Sequence, residues 1–409
     1  LETDRVLSLR WASAESMVSD SEFTRTMQAK SAAAFREALR QWKTIQLNFV
    51  FADRQGNIGW HVSGMPPIRS GGGGTIPYEV RDSQDNWSGW IPFEDMPQAS
   101  NPAKGWVGTC NHKTVGADYP YYYSSYFASS YRYRRLKALM ADRSVISVDD
   151  HWQFQRDTHN VMAEALVPIM APVLAAHDDT RAMGVILSEW NLQDDANLVA
   201  PTIFHTVYGR WAVEAFQDEL GETLSRSMLA TWYFWQERFQ NMVESGQSSW
   251  FDDVSTTDTR ETMQDILYRA AQEAHRELAS QLGGDMTQWQ WGKAHTIEFV
   301  SPIRRNGFGK GLLGGGRHSV SGSGETLRRG QYDFKQPFDI SFSASLRMVA
   351  DLNDPDKVLA VIPGGVSGRV FHPHSKDQID AFINGEKQYW WFSDEEIQAH
   401  TQSEIILHP

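Results

Sequence analysis

QLNFVFADRQGNIGW, the stretch at residues 46–60, is the most informative part of this chain. Its apolar and aromatic run at residues 47–52 predicts a β-strand, because aromatic and β-branched side chains are enriched in strands. Residues 53–57 read DRQGN, a composition typical of a turn, and residues 58–62 return as a second strand. The stretch therefore predicts a β-hairpin.

One polar side chain, Asn48, lies inside the first predicted strand among apolar neighbours. If that strand is buried, the amide must find hydrogen-bond partners, because an unsatisfied buried polar group costs about 1–3 kcal/mol. We therefore expect either the structure or a ligand to use Asn48.

The residues around this hairpin carry a resemblance to a known family. Residues 48–59 follow the pattern Asn-aromatic-x-x-Ala-Asp-x-x-Gly-Asn-Ile-Gly, and Gly64, Pro67 and Arg69 follow at the spacing Gly-x-x-Pro-x-Arg. This pattern resembles the penicillin acylase (penicillin amidase) family of N-terminal nucleophile hydrolases. Fragments that continue the resemblance are Asn101-Pro102, Asn111, Trp250 to Asp253, Trp291-Gly292, His295, Gly364 to Gly368 and His374. Their order and spacing extend it over nearly all 409 residues.

The resemblance implies a fold and a mechanism. The fold would be α+β, part of an αββα sandwich with a helical insertion, and the chain would be the C-terminal portion of a β chain. In this family a Ser at the start of the β chain is the nucleophile and its own α-amine is the base. Leu1 offers no nucleophile. We therefore expect the Ser on an upstream segment absent from this chain, with the upstream α chain and the N-terminal part of the β chain as partners.

Three residues are candidates for functional roles. By resemblance, Asn48 is the oxyanion-hole asparagine, whose amide would stabilise the charge that forms on the attacked carbonyl. Arg69 matches the family arginine near the nucleophile, where a planar, permanent cation can orient catalytic groups or a substrate carboxylate. A solvated surface arginine is the alternative interpretation of Arg69. No cofactor is required for catalysis, but the family implies a structural calcium to which Asp53 would give a ligand; an Asx-turn is the favoured alternative for Asp53.

Other side chains that suggest chemistry have structural interpretations. His295 is expected to be a core or hydrogen-bonded histidine, since an α-amine base makes a catalytic histidine unnecessary. Asp252 and Asp253 are adjacent and would point to opposite faces of a strand, so a glycosidase-like pair is not expected. Ser367 lacks the final glycine of a nucleophile elbow and is assigned to a turn.

Strand and helix patterns indicate three regions. Residues 1–147 would form the first part of the hydrolase core, with the hairpin; residues 148–290 would be mainly helical; residues 291–409 would be a β-rich return to the core. Within the first region, Asp20 to Trp42 predicts one amphipathic helix, and residues 87–111 are typical of an ordered loop.

Within the second region, Asp258 and Glu261 resemble a capping box at the start of a helix. The paired glycines at residues 283 and 284 are expected to end that helix.

Composition disfavours several classes of protein. The formal net charge of −13 argues against nucleic acid or an anionic membrane surface as a partner. No run approaches the 18–20 apolar residues of a membrane-spanning helix. Cys110 is the only cysteine, which excludes an internal disulfide and a multi-cysteine zinc site. A periplasmic or secreted location is implied by the family resemblance.

The expected function is that of an amide hydrolase (acylase) acting on a small N-acyl substrate. A β-lactam side chain, an acyl-homoserine lactone and other N-acyl compounds all stay open, because the acyl pocket would be built largely by residues absent from this chain. The alternatives are an acyl-homoserine lactone acylase of the same family, or a non-catalytic relative or fragment with a structural or binding role.

Overall fold

The computed structural model describes residues 6–17, 22–82, 86–141, 143–231, 235–300, 313–333, 336–354 and 356–408. Leu1 lies outside these residues. The chain forms two compact units, Leu1–Ala128 and Ser129–Pro409. The division into regions at residues 147 and 290 stays a prediction.

The first unit is built on the predicted hairpin. In chain order it contains α1 (Ala12–Ser16), α2 (Glu22–Met27), α3 (Ala32–Ala38), β1 (Asn48–Ala52), β2 (Ile58–Val62), β3 (Pro67–Arg69), β4 (Trp87–Trp90) and β5 (Gln98–Ser100). One antiparallel sheet has the order β1-β2-β5, so β1 is an edge strand, and β3 pairs with β4 in a second sheet. The two predicted strands of the hairpin and their antiparallel pairing are confirmed.

The second unit begins with helices and ends with sheets. Its elements are α4 (Tyr131–Met140), α5 (Val148–Phe154), α6 (Val161–Ala175), α7 (Arg181–Ser188), α8 (Ala200–Leu229), α9 (Gln236–Ser245), α10 (Met263–Leu282), α11 (Trp291–Ala294), β6 (Thr296–Phe299), β7 (Gly316–Ser319), β8 (Gly330–Asp333), β9 (Gln336–Ser343), β10 (Arg347–Val349), β11 (Val358–Val361), α12 (Ile379–Asn384), β12 (Gln388–Trp390) and α13 (Asp394–His400). The sheets have the orders β7-β6-β9-β8 and β10-β11-β12. Strands, helices and strands again give the predicted α+β class.

The main hydrophobic core of the second unit lies between its long helices. On α8, Ile203, Val207 and Trp211 recur every four residues and are fully buried, which is the spacing of one helix face. They belong to one cluster with residues of α6 and α10, such as Leu166 and Leu267. Burying each of these large side chains stabilises the fold by roughly 1.5–3 kcal/mol. No helix in the described ranges is both long enough and apolar enough to cross a bilayer.

The single helix predicted from Asp20 to Trp42 is wrong. Asp20 lies outside the described residues, and the rest forms two helices, α2 and α3, followed by a short 3-10 turn. The Ser31 side chain caps α3, and the Asp53 carboxylate accepts a hydrogen bond from the backbone N–H of Ala32 at 3.0 Å. A tertiary contact from the hairpin turn therefore marks the start of a new helix, which the helical period of the sequence does not reveal.

Two further local predictions are corrected. Residues 87–111 are not loop throughout, because they contain β4 and β5; strands of three or four residues are set by pairing and have little pattern of their own. The capping box of α10 consists of Thr262 and Asp265, four residues after the predicted pair Asp258 and Glu261. Both pairs fit the same sequence pattern, and only the observed start of the helix separates them.

Candidate active site

The two faces of β1 have different surroundings. In the register of the hairpin Asn48 lies opposite Val62, and Val50 lies opposite Trp60. Phe49 and the ring of Phe51 point to the face covered by the aromatic residues Phe35 and Trp42, with ring centroids 5.0–6.0 Å apart. Asn48, Val50 and Ala52 point to the opposite face and are exposed. The condition of burial considered for Asn48 therefore does not apply, because only the other face of β1 is packed.

The orientation of the Asn48 amide is determined by a neighbouring indole. Trp60 Nε1 donates a hydrogen bond to Asn48 Oδ1 over 2.8 Å. Since an indole N–H can only donate, its partner must be the amide oxygen, and this decides which way the amide faces. In the described part of the chain no hydrogen bond reaches Asn48 Nδ2. Both Nδ2–H donors are therefore available to a ligand.

The backbone that leads into Asn48 is held by Ser63, whose exposed fraction is 1%. Ser63 Oγ donates to the carbonyl of Ile45 at 2.8 Å and accepts from the N–H of Leu47 at 3.1 Å. The N–H of Ser63 also donates to the carbonyl of Leu47 at 2.9 Å. Three hydrogen bonds therefore fix the backbone just before Asn48, and this constrains the position from which its side chain extends.

His61 is a titratable neighbour that faces away from Asn48. Its ring is fully buried, stacks on Phe93 with centroids 4.2 Å apart, and donates from Nδ1 to the carbonyl of Val62 at 2.8 Å. Burial lowers the pKa of His61, so the imidazole is neutral at pH 7. Successive side chains of a strand point to opposite faces, and His61 therefore does not share the face of Asn48.

Asp53 organises the turn of the hairpin. Its Oδ1 accepts from the N–H groups of Gln55 and Asn57, each at 3.0 Å, while Oδ2 accepts from Ala32. The Asn57 side chain donates to both oxygens over 3.1 Å. The bond from Ala32 and those from residues 55 and 57 lower the pKa of Asp53. The bond from Gln55 has the i to i+2 pattern of an Asx-turn.

This set of donors does not fit a calcium ion, because the groups that face the Asp53 carboxylate are N–H donors and calcium needs oxygen ligands. No group of three or more His, Cys, Asp or Glu side chains with metal-binding geometry occurs in the described residues. A calcium site completed by oxygens of another chain stays a prediction for Asp53.

Arg69 lies at the end of β3, in the second sheet of the first unit. Its guanidinium carbon lies 5.3 Å from the centre of the Trp87 ring, within the range of a cation–π contact. The glycine-rich loop passes close by: a Cβ added to Gly74 would lie 3.2 Å from Arg69 Nη2. Among the residues the structure describes, no carboxylate pairs with Arg69. Arg10 also lies over this ring, with its guanidinium carbon 4.3 Å from the ring centre, so two cations flank Trp87.

The hairpin brings together only part of the predicted site. Asn48 and Asp53 lie at opposite ends of β1, and Arg69 lies on a different sheet, with no hydrogen bond to Asn48 in the described ranges. Sequence reasoning missed Trp60 and Ser63. A signal for Trp60 was present, because a five-residue turn that pairs residue 52 with residue 58 also brings residues 48 and 60 onto one face.

The remaining candidates have structural surroundings. His295 is fully buried, stacks on Trp291 and donates from Nδ1 to a backbone carbonyl at 2.9 Å. Asp252 lies after a 3-10 turn and accepts from the N–H of Glu261 at 3.1 Å. The hydroxyl of Ser367 accepts from a backbone N–H two residues later. These contacts agree with the structural interpretations.

Comparison with known proteins gives a consistent result. The family model described as Penicillin amidase matches residues 2–399. The acyl-homoserine lactone acylase QuiP of Pseudomonas aeruginosa is 27% identical over 394 residues, which cover 87% of this chain and 46% of that protein. Penicillin acylase 2 proenzyme of Pseudomonas sp. (strain SE83) is 26% identical over 89% of this chain and 46% of its own length. The chain spans less than half the length of these relatives.

A solved structure shows the same fold. The thermostable penicillin G acylase from Alcaligenes faecalis superposes with a TM-score of 0.64, covering 95% of this chain and 73% of that chain at 17% identity. At this level of identity the likeness concerns the fold alone. The predicted fold class is confirmed.

Proposed function

Because this chain belongs to the penicillin amidase family, we propose that it forms part of an acylase that hydrolyses the amide bond between an acyl group and an amine. The observation that carries the proposal is the exposed Asn48 amide on β1, whose oxygen is bonded to Trp60 while its two N–H donors have no partner in the described residues. Donors held in place before the reaction stabilise an oxyanion without the cost of reorganising at the moment of reaction.

In the proposed mechanism an N-terminal Ser on an upstream segment attacks the substrate carbonyl, and its α-amine takes the proton. Asn48 Nδ2 donates a hydrogen bond to the oxyanion of the tetrahedral intermediate. Collapse of that intermediate expels the amine, which is protonated by the ammonium group of the Ser. Water then attacks the acyl ester while the α-amine takes a proton from it, and the oxyanion again bonds to Asn48. The bond between the acyl carbon and the Ser oxygen breaks, the ammonium group returns the proton to that oxygen, and the carboxylic acid is released. Arg69, whose guanidinium has no carboxylate partner among the described residues, would support the site with its charge.

The substrate class is a small linear N-acyl compound. The names of the relatives include both acyl-homoserine lactone acylases and penicillin acylases, and an acyl-homoserine lactone acylase is the second candidate because six of the similar proteins carry that name. The partners we propose are the upstream α chain and the N-terminal part of the β chain. A periplasmic or secreted location rests on the family resemblance.

The function is tested on the complete gene product, purified and characterised by intact mass and N-terminal sequencing. A chain beginning with Ser, together with hydrolysis of phenylacetyl amides or long-chain acyl-homoserine lactones, is the expected result. In Asn48→Ala we expect kcat to fall by roughly 10²–10³-fold, the usual effect of removing one oxyanion donor. Asn353→Ala, at an exposed asparagine of the second unit, is the matched control. Undiminished hydrolysis in Asn48→Ala would refute the role of Asn48, and no hydrolysis by the wild type would favour a non-catalytic relative.

A further inference from the structure

We propose that Trp60 is a positioning residue, whose indole N–H holds the Asn48 amide in the one orientation that presents Nδ2 to the oxyanion. This inference rests on the proposed function, and it assigns to Trp60 no contact with the substrate. It follows from the hydrogen bond between Trp60 Nε1 and Asn48 Oδ1, at 2.8 Å.

The contact follows from the register of the hairpin. Asn48 lies opposite Val62 and Val50 lies opposite Trp60, so Asn48 and Trp60 are diagonal neighbours on one face of the sheet. Diagonal positions of an antiparallel pair are about 7–8 Å apart, a distance that a large aromatic side chain spans. The body of the Trp60 ring packs on an apolar cluster that contains Val62, Ile91 and Met96. The indole is therefore anchored at one end while its N–H reaches Asn48 at the other.

An exposed asparagine without such a partner would not keep its amide in one orientation. The amide oxygen and nitrogen have nearly the same shape, and rotation about the last side-chain bond is broad, so both orientations are accessible in water. In the wrong orientation Oδ1 would face the oxyanion and repel it. A donor-only group such as the indole N–H stabilises one orientation alone, because the reversed amide would place N–H against N–H.

If Asn48 binds the oxyanion and Trp60 only orients the Asn48 amide, loss of the indole N–H should lower kcat more than it changes KM. Trp60→Phe keeps an aromatic ring on the cluster and removes only the N–H donor. Because one hydrogen bond is lost, we expect kcat of the complete enzyme to fall roughly three- to tenfold. KM should change little, since the oxyanion forms only after binding. Trp106→Phe, at another half-buried tryptophan of the first unit, should leave both constants unchanged.

The double variant separates positioning from a structural effect. If Trp60 acts only through Asn48, Trp60→Phe should cause no further loss of activity in the Asn48→Ala background. A structural role would give the same fold-change in both backgrounds and a lower thermal unfolding midpoint in each. If Trp60→Phe fails to fold, Trp60 is replaced with 3-benzothienylalanine, which keeps the bicyclic shape and exchanges the N–H for sulfur; the same loss is expected.

The possible failures are distinguishable. No hydrolysis by the wild type would overturn the proposed function. Wild-type activity in Asn48→Ala would leave that function standing but overturn the role of Asn48, and this inference with it. A large loss in Asn48→Ala together with wild-type kcat in Trp60→Phe and in the benzothienyl variant would overturn the role of Trp60 alone.

Discussion

At the scale of single residues, the exposure of Asn48 bears on whether its amide has a structural or a ligand-binding role. A buried amide must be satisfied within the fold, whereas an exposed one forms hydrogen bonds with water and costs the fold little. Asn48 is exposed and bonds to the protein only through Oδ1 in the described residues. The bond to Trp60 gives the amide oxygen a structural role, whereas a ligand is the partner we propose for Nδ2. Arg69 has the same character, because its one described partner is the Trp87 ring.

Arg69→Lys tests whether the planar guanidinium matters. Lysine keeps the charge but loses the planar group that lies over Trp87, and it cannot bind a carboxylate through two parallel hydrogen bonds. Because lysine replaces a parallel pair of hydrogen bonds with a single one, we expect kcat/KM to fall roughly three- to tenfold, the usual effect of one lost hydrogen bond. The matched control is Arg54→Lys, at an exposed arginine of the hairpin turn, which should behave as the wild type. Wild-type kinetics in both variants would contradict this prediction and would favour the alternative that Arg69 is a solvated surface arginine.

At the scale of elements, the turn between β1 and β2 also organises a helix. Asp53 closes the turn through Gln55 and Asn57 and accepts the first N–H of α3 through its other oxygen. A carboxylate at a helix N-terminus both satisfies a free donor and interacts favourably with the helix dipole. One side chain therefore links the hairpin to the helix that covers the apolar face of β1.

Asp53→Asn separates this capping role from calcium binding. Asparagine can keep the Asx-turn but loses the negative charge and one acceptor oxygen, so we expect a lower thermal unfolding midpoint whether or not EDTA is present. The pKa of Asp53 is lowered below its ordinary value of 3.8. The difference in unfolding midpoint between the wild type and Asp53→Asn should therefore be largest above pH 3.8 and should disappear as the pH falls through the lowered pKa. A wild-type midpoint that EDTA lowers to that of the variant would support the calcium role instead.

At the scale of the whole molecule, the second unit has, beside its main core, a smaller buried aromatic cluster of Trp291, Tyr332 and Phe338, and a titratable group packs against it. His295 is fully buried against Trp291. Burial, and secondly the nearby His205, lowers the pKa of His295 to about 3. The folded state therefore holds this imidazole neutral over a pH range in which the unfolded chain would protonate it.

This group makes stability fall in mild acid. Between its ordinary pKa of 6.5 and about 3, the unfolded state binds more protons at His295 than the folded state does, so the free energy of unfolding decreases as the pH falls. From pH 7 to pH 5 the expected loss is about 2 kcal/mol. In His295→Gln the free energy of unfolding, measured with urea, should fall less between pH 7 and pH 5, even if the variant is less stable at pH 7. His408→Gln, at an exposed histidine, should keep the wild-type slope; a wild-type slope in His295→Gln would contradict the prediction.

The candidate site was only partly predictable, and the reason differs from residue to residue. Asn48 stands out because an amide interrupts an apolar strand, and the flanking pattern resembles a family. Trp60 does not stand out, because a tryptophan in a strand is ordinary until the register places it beside Asn48. The start of α3 was missed because its cap includes a carboxylate that lies 21 residues further along the chain.

By itself the sequence determined the β1–β2 hairpin, the α+β class and the family, since strand and turn preferences act between near neighbours and the family pattern is a matter of order and spacing. The three-dimensional structure was needed to show that α2 and α3 are separate helices, that β5 pairs with β2, and that Asn48 is exposed and accepts a hydrogen bond from Trp60. Those outcomes depend on which distant groups pack against a given face, and a linear pattern of residue types does not contain that information.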